Sequence, residues 1–310
     1  MLKFITMIKL ALVSSSNIEF ETGFSSDLLR KWRQRYGFPP QEVLVNGKAA
    51  YSRETVSRLL LIKRLLENGL MPAQVVSRSL LELDRLQQAI TNESPNSSSN
   101  ESIKKLIERL SQIDQEGFLA LLVKARSMGT LTEFVTNTVG PLLVSIGVAW
   151  SKGEIDIYHE HLCSSIVERY LHAELLLYKP KGHFPIILFA TPPEEHHALG
   201  LLMAEVVFAE QGAKTINLGS NIPLNEMKLA AISSQANIVA LSFSHCMPTR
   251  RIKPILTHLR HILPKNIEIW VGGSGAKIKK RPQEGVRIFS GFEDAIVAIQ
   301  EFAKLNRVKK

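Results

Sequence analysis

Two cysteines, Cys163 and Cys246, are all the thiol chemistry that 310 residues offer. A lone pair without regular spacing builds neither a disulfide framework nor a zinc knuckle, so reduced cytosolic thiols are expected. Long apolar runs are scarce as well. No stretch reads as the roughly eighteen consecutive apolar residues of a spanning helix, and no membrane partner is expected. The start, Met1 to Val13, is apolar, but Lys9 interrupts it and no small-residue cleavage site follows, so a cytoplasmic protein is read. No internal repeat is found. Nor does a Gly-x-Gly-x-x-Gly follow the first apolar run of the C-terminal half, which disfavours a nucleotide oxidoreductase.

What the chain does have is a globular composition, 45% hydrophobic and 22% charged, and a length that suggests two or three compact domains. The net charge of +9 and a pI near 9.5 favour a polyanionic partner. The charge is concentrated early. Between Ser25 and Arg64 stand nine Lys/Arg (Arg30, Lys31, Arg33, Arg35, Lys48, Arg53, Arg58, Lys63, Arg64) against Asp27, Glu42 and Glu54, nine minus three giving +6. A second basic stretch, Arg250 to Arg281, reads as a solvated surface.

Organisation follows from periodicity. Helical patterns run from about Asp27 to Tyr36, Arg53 to Asn68 and Pro72 to Ile90; Ser52 is the expected N-cap of the second, with Gly69 past its end. Residues 91–100 form a linker, rich in Asn, Ser, Glu and Pro between Thr91 and Ser99. Four helical stretches follow at about Ile103 to Ile113, Glu116 to Arg126, Leu131 to Ser151 and Asp156 to Tyr178, and their short connections imply an antiparallel bundle over 101–180. From Phe184 the period changes. Short apolar runs at Ile186–Ala190, Lys214–Leu218, Ile238–Phe243, Glu268–Val271 and Val286–Phe289 alternate with amphipathic segments, which predicts an open parallel sheet with crossover helices over 181–310.

In the first module, Thr22-Gly23-Phe24-Ser25-Ser26-Asp27-Leu28-Leu29-Arg30-Lys31-Trp32-Arg33-Gln34-Arg35-Tyr36-Gly37 has the parts of a turn and a basic helix. Gly23 permits the tight turn, Ser25 or Ser26 caps the helix, and Leu28, Leu29 and Trp32 form its inward stripe. Taken alone, such a helix is usually a solvated face. Asn46-Gly47-Lys48 adds a hairpin signal and Tyr51-Ser52-Arg53-Glu54 a step from hairpin into the next helix. Together these strings resemble the winged helix-turn-helix of MerR-family regulators. The resemblance implies an N-terminal all-α winged module over 1–90 that binds double-stranded operator DNA through Arg30, Lys31, Arg33, Arg35, Lys48, Tyr51 and Arg53. It also implies a homo-oligomer, with the helix near Pro72 to Ile90 as the dimerisation element. One departure is that the family's opening helix is degenerate over Val13 to Thr22.

In the last module, Glu195-His196-His197-Ala198-Leu199-Gly200 directly follows the first strand and its Pro192-Pro193 turn, where a doubly wound sheet places its ligand loop. Ser242-Phe243-Ser244 closes the third strand and Gly272-Gly273 the fourth. Order and spacing resemble the acidic-x-His-x-x-Gly, Ser-x-(Leu/Val/Thr/Ser), Gly-Gly signature of base-off, His-on cobalamin proteins. That likeness implies a Rossmann-like cobalamin-binding domain in which His197 ligates cobalt. Glu195 would fix the imidazole tautomer. Ser242 and Ser244 would bond the buried nucleotide tail, and Gly200, Gly272 and Gly273 would allow close backbone approach.

Between the two, Trp150 is followed after nine residues by Glu160-His161. A tryptophan at a helix end is more often core than cofactor contact. The Trp-x9-Glu-His spacing nevertheless resembles the cap of adenosylcobalamin-dependent MerR photoreceptors, the CarH and LitR kind. The resemblance implies a four-helix cap that sets Trp150, Glu160 and His161 against the upper axial adenosyl group. It also implies a light-responsive repressor rather than an enzyme. Those photoreceptors carry a histidine directly after the tryptophan, and this chain has Ser151 there. Two alternatives stay open: a sensor of cobalamin level or redox state without light, and a corrinoid methyl-carrier or mutase subunit.

Overall fold

The computed structural model describes residues 12–43, 49–67, 70–91, 97–151, 154–178, 182–244, 247–276 and 283–307. Lys48 and the Asn46-Gly47 turn, Gly69, the middle of the expected linker, Cys246 and the end of the second basic stretch lie outside the described residues. Two compact units result, one of residues 1–114 with 142–161 and the other of 115–141 with 162–310. The division passes through the region 101–180 that the sequence sets apart as a single bundle.

The first unit opens with a strand absent from the sequence reading, β1 (Leu12–Ser14), before α1 (Ser15–Thr22) and α2 (Ser26–Tyr36). The degenerate opening helix does form, over eight residues, because Ser14 caps its start and Gly23, at φ 71°, ends it. In α2 Ser25 is the cap, accepting the Leu28 N–H, with Asp27 in the first turn and Arg33 and Arg35 in the last, where the helix dipole favours each sign. Leu29 and Trp32 are buried, and Phe24 meets Trp32 edge-on at 4.9 Å.

Strands β2 (Glu42–Val43) and β3 (Ala49–Ser52) pair antiparallel, while β1 pairs the other edge of β3, giving the order β1-β3-β2. The module is therefore not all-α: a three-stranded sheet carries the wing. Helix α3 (Arg53–Glu67) starts on the Ser52 hydroxyl, which accepts the Thr55 N–H at 3.1 Å. The expected single helix from Pro72 to Ile90 is two, α4 (Pro72–Val75) and α5 (Leu80–Thr91). Ser79 accounts for the break. Its N–H donates to Glu82 Oε2 at 2.9 Å while its hydroxyl accepts the Glu82 N–H at 3.4 Å, a capping box that starts a new helix. Helix α6 (Ser97–Ser111) begins inside the stretch expected as linker.

The other helices are α7 (Gln115–Arg126), α8 (Leu131–Phe134), a π-helical turn at Val135–Val139, α9 (Gly140–Ser151) and α10 (Ile157–Leu177). By mean hydropathy and length Leu131–Trp150 would pass for a membrane-crossing helix, but polar residues interrupt it, and Leu131, Phe134, Val135, Val139, Leu142, Ile146 and Ala149 are buried, as in a core helix. The start of α8 is held from afar: the carboxylate of Glu210 accepts the N–H groups of Leu131 and Thr132 at 2.8 and 2.7 Å. Helix starts leave such donors without partners, and an anion is favoured there.

The expected parallel sheet is present: β4 (Ile186–Ala190), β5 (Lys214–Asn217), β6 (Ile238–Ser242), β7 (Glu268–Gly272) and β8 (Val286–Ile288), in the order β5-β4-β6-β7-β8. Helices α11 (Leu199–Glu210), α12 (Leu224–Ser233), α13 (Thr249–Ile262) and α14 (Phe292–Arg307) connect or follow the strands. Val239, Leu241, Ile269 and Val271 are fully or nearly fully buried and centre one core. The chain goes from β4 to one side and returns to pair β6 on the other. That reversal opens a crevice at the carboxyl ends of β4 and β6, the usual ligand position in such sheets.

Candidate corrinoid site and nucleic-acid interface

His197 lies in the loop between β4 and α11, at the reversal point. Its ring is 58% exposed, and its Nδ1 lies 2.8 Å from Oε1 of Glu195, which is 1% exposed. The same carboxylate accepts the His197 N–H at 3.0 Å, the Ser244 N–H at 2.8 Å and the Ser244 hydroxyl at 2.9 Å. Burial pushes the Glu195 carboxyl up. The hydrogen bonds from the His197 ring and N–H and from Ser244 outweigh it, and hold the carboxyl below its ordinary pKa. An ionised, fixed Glu195 orients Nδ1 toward itself, so Nε2 is the nitrogen that would face a metal.

Gly200 and Gly273 are confined by the chain's own atoms. A Cβ on Gly200 would come 3.1 Å from the Ser242 hydroxyl, and one on Gly273, at φ 94°, would sit 2.3 Å from the Phe243 carbonyl oxygen. Gly275, which the sequence reading did not single out, is equally confined, since its Cβ would fall 2.1 Å from the Ser244 carbonyl. Gly272 faces open space. Ser242 is buried, whereas Ser244 binds Glu195 and lies 3.1 Å from His197 Nδ1, so it supports the imidazole rather than standing ready for a nucleotide tail alone. Sequence reasoning also passed over Thr191 and Asn221, whose bonds hold the His197 loop; neither belongs to the motif, and only their places after β4 and β5 point to them.

These residues fit a corrinoid. The donor set is a single imidazole, that of His197 backed by the buried Glu195 carboxylate, and it is the group that would hold the cobalt.

The expected cap residues belong to the first unit. Trp150 is partly buried and packs on the core of the N-terminal module, formed by Leu29, Leu59, Ile62 and Leu83 among others. Glu160 and His161 are neighbours at 3.5 Å, His161 well exposed. His159 is buried, its Nδ1 accepting the Asp156 N–H at 3.0 Å, with Nε2 lacking a hydrogen-bond partner among the described residues.

On the N-terminal module, Arg30 and Lys31 are exposed and both pair with Asp27, at 2.6 and 2.9 Å. Arg35 is exposed beside Tyr36, and Arg53 pairs with Glu21 at 2.9 Å. Arg33 turns inward instead. It donates to the Pro39 carbonyl at 3.0 Å, to the Tyr51 hydroxyl at 2.9 Å and to Gln41, joining α2 to the wing.

Residues 14–77 match the profile of the MerR HTH family regulatory proteins, and residues 102–173 that of the B12 binding domain. The chain thus carries one segment similar to the MerR-type helix-turn-helix proteins and another similar to the B12 binding domain. Among individual proteins, it is 26% identical over 282 residues to the HTH-type transcriptional repressor CarH of Myxococcus xanthus, covering 88% of this chain and 93% of that one. It is 27% identical over 263 residues to the repressor CarA of the same organism, covering 83% of this chain and 84% of CarA. In fold, 66% of the chain matches 99% of the monomethylamine corrinoid protein of Methanosarcina barkeri, with a TM-score of 0.53 at 17% identity.

Proposed function

We propose that this chain is a transcriptional repressor whose grip on operator DNA is set by adenosylcobalamin and by light. The observation that carries the reading is the Glu195–His197–Ser244 cluster at the sheet's reversal point, in a chain that begins with a winged helix-turn-helix. In this reading residues 1–90 bind DNA, 101–180 cap the corrinoid, 181–310 hold it base-off with His197 on cobalt, and the protein works in the cytoplasm as a homo-oligomer. Trp150, Glu160 and His161 are the residues that the cap would offer to the adenosyl group. Bound adenosylcobalamin supplies a cobalt–carbon bond that light breaks. The curated relatives are named repressors, which leaves the methyl-carrier and mutase alternatives resting on a shared fold alone. Ser151 favours a second reading, a cobalamin sensor that does not respond to light, because a hydroxyl cannot replace the family's histidine at cobalt.

The test is DNA binding and gel filtration of the full chain on an operator selected from random duplexes. Corrinoid-free protein, protein loaded in the dark and loaded protein after green light are compared. Only the dark, loaded form is expected to assemble and bind tightly. Equal binding by the loaded forms, both tighter than the empty chain, establishes the sensor without a light switch; equal binding by all three removes corrinoid control.

A further inference from the structure

We propose that Thr191 and Asn221 are positioning residues for the cobalt ligand, an inference that rests on the assignment of His197 above. The loop that carries His197 leaves β4 at Thr191, a fully buried residue whose hydroxyl is used twice. It donates to the main-chain oxygen of Glu195 at 2.5 Å and accepts the Asn221 N–H at 2.9 Å. The Thr191 main chain extends the attachment, its N–H bonding Gly219 O at 3.0 Å and its carbonyl accepting the Ile222 N–H at 2.9 Å. Asn221 answers from the loop after β5: its side-chain oxygen accepts the Glu194 N–H at 2.8 Å, and its own N–H also lies 3.2 Å from Glu195 O.

Two unusual backbone conformations meet there. Glu194 has φ 71° and Asn221 φ 59°, both in the left-handed region. Asparagine tolerates that region and glutamate does so poorly, so such a residue persists where its surroundings over-determine it. The Asn221–Glu194 bond does this, together with the ion pair that Arg251 of α13 makes with Glu194.

The result is a relay of position. Glu195 is held by its backbone from Thr191 and Asn221 and by its carboxylate from Ser244, and it in turn orients His197. All of these bonds lie within the chain, and a ligand held this way spares the binding event the entropy of ordering a loop.

The test uses the full chain with Thr191→Val, which keeps shape without the hydroxyl; Thr191→Ser, which restores it; and Asn221→Gly, which keeps the left-handed backbone without the amide. Affinity for adenosylcobalamin is titrated in the dark. Imidazole ligation is read from the nitrogen splitting in the paramagnetic resonance spectrum of bound corrinoid in the Co(II) state. Thr191→Val and Asn221→Gly are each expected to weaken binding by about 10- to 100-fold, as partners that orient a metal ligand do, and to lose part of the nitrogen splitting. Thr191→Ser is expected to recover both. Wild-type affinity and splitting in Thr191→Val and Asn221→Gly overturn the proposal. His197→Ala is the reference: if it binds weakly while the other variants behave as wild type, the positioning role is wrong and the ligand stands. If His197→Ala binds as wild type, the ligand assignment falls and the inference falls with it. Should Thr191→Val not fold, the exposed Asn221 position decides alone.

Discussion

Replacing His197 with alanine is expected to lower corrinoid affinity by more than about 100-fold, or roughly 2.7 kcal/mol, since removing a mere orienting partner already costs ~10- to 100-fold. The absorption spectrum of the residual complex should be that of corrinoid without protein imidazole. The expectation is specific to this ring because its Nδ1 is engaged by a carboxylate that is itself buried and fixed from Ser244. Its pH dependence follows from Glu195. The carboxyl pKa is lowered in the folded chain, so the orienting charge is present above the ordinary carboxylate pKa and lost only as pH falls through the lowered value. Spectral titration that shows His197 ligation failing near pH 7 through Glu195 contradicts this.

The second large effect is on DNA. Neutralising Arg30 and Arg35 together is expected to flatten the dependence of log affinity on log salt by about one unit for each phosphate no longer engaged, hence by about four in a dimer. Both side chains are exposed on α2, and the ion pair of Arg30 with Asp27 is a surface pair that a phosphate readily replaces. Arg33→Ala should behave differently. Its guanidinium ties α2 to Pro39 and Tyr51, so the variant should lower thermal stability and weaken binding with little change in salt slope. Fluorescence anisotropy across a salt series separates the two; an unchanged slope in the Arg30→Ala, Arg35→Ala double variant places the DNA surface elsewhere.

Much of the fold was legible in the amino-acid pattern. The strands of the sheet fall within about one residue of their apolar runs, because a parallel strand buried on both faces must be continuously apolar, as Ile238, Val239, Ala240 and Leu241 are. His197 and Glu195 were legible because they are two residues apart, and their contact is local. What stayed hidden was non-local or cooperative. Ser244 reaches Glu195 across 49 residues, and Arg33 reaches Tyr51 across 18. Nothing in either string announces the partner. Helix α6 runs back to Ser97 through weak helix formers because propagation from Ile103, Leu106 and Leu110 costs less than a new nucleus would. Strand β1 is too short for periodicity, and only its pairing with β3 defines it.

The carboxylate of Glu210 at the start of α8 has a consequence for how the second unit opens. First-turn amides normally exchange with solvent by fraying, without disturbing the rest of a fold. Here the amides of Leu131 and Thr132 are bonded to a side chain at the far end of α11, a helix buried along most of its length. Their protons are released only when the bonds to Glu210 break. Deuterium uptake at these two positions is therefore expected to be slower than at first-turn amides without such a partner, and to rise to their rate in Glu210→Ala.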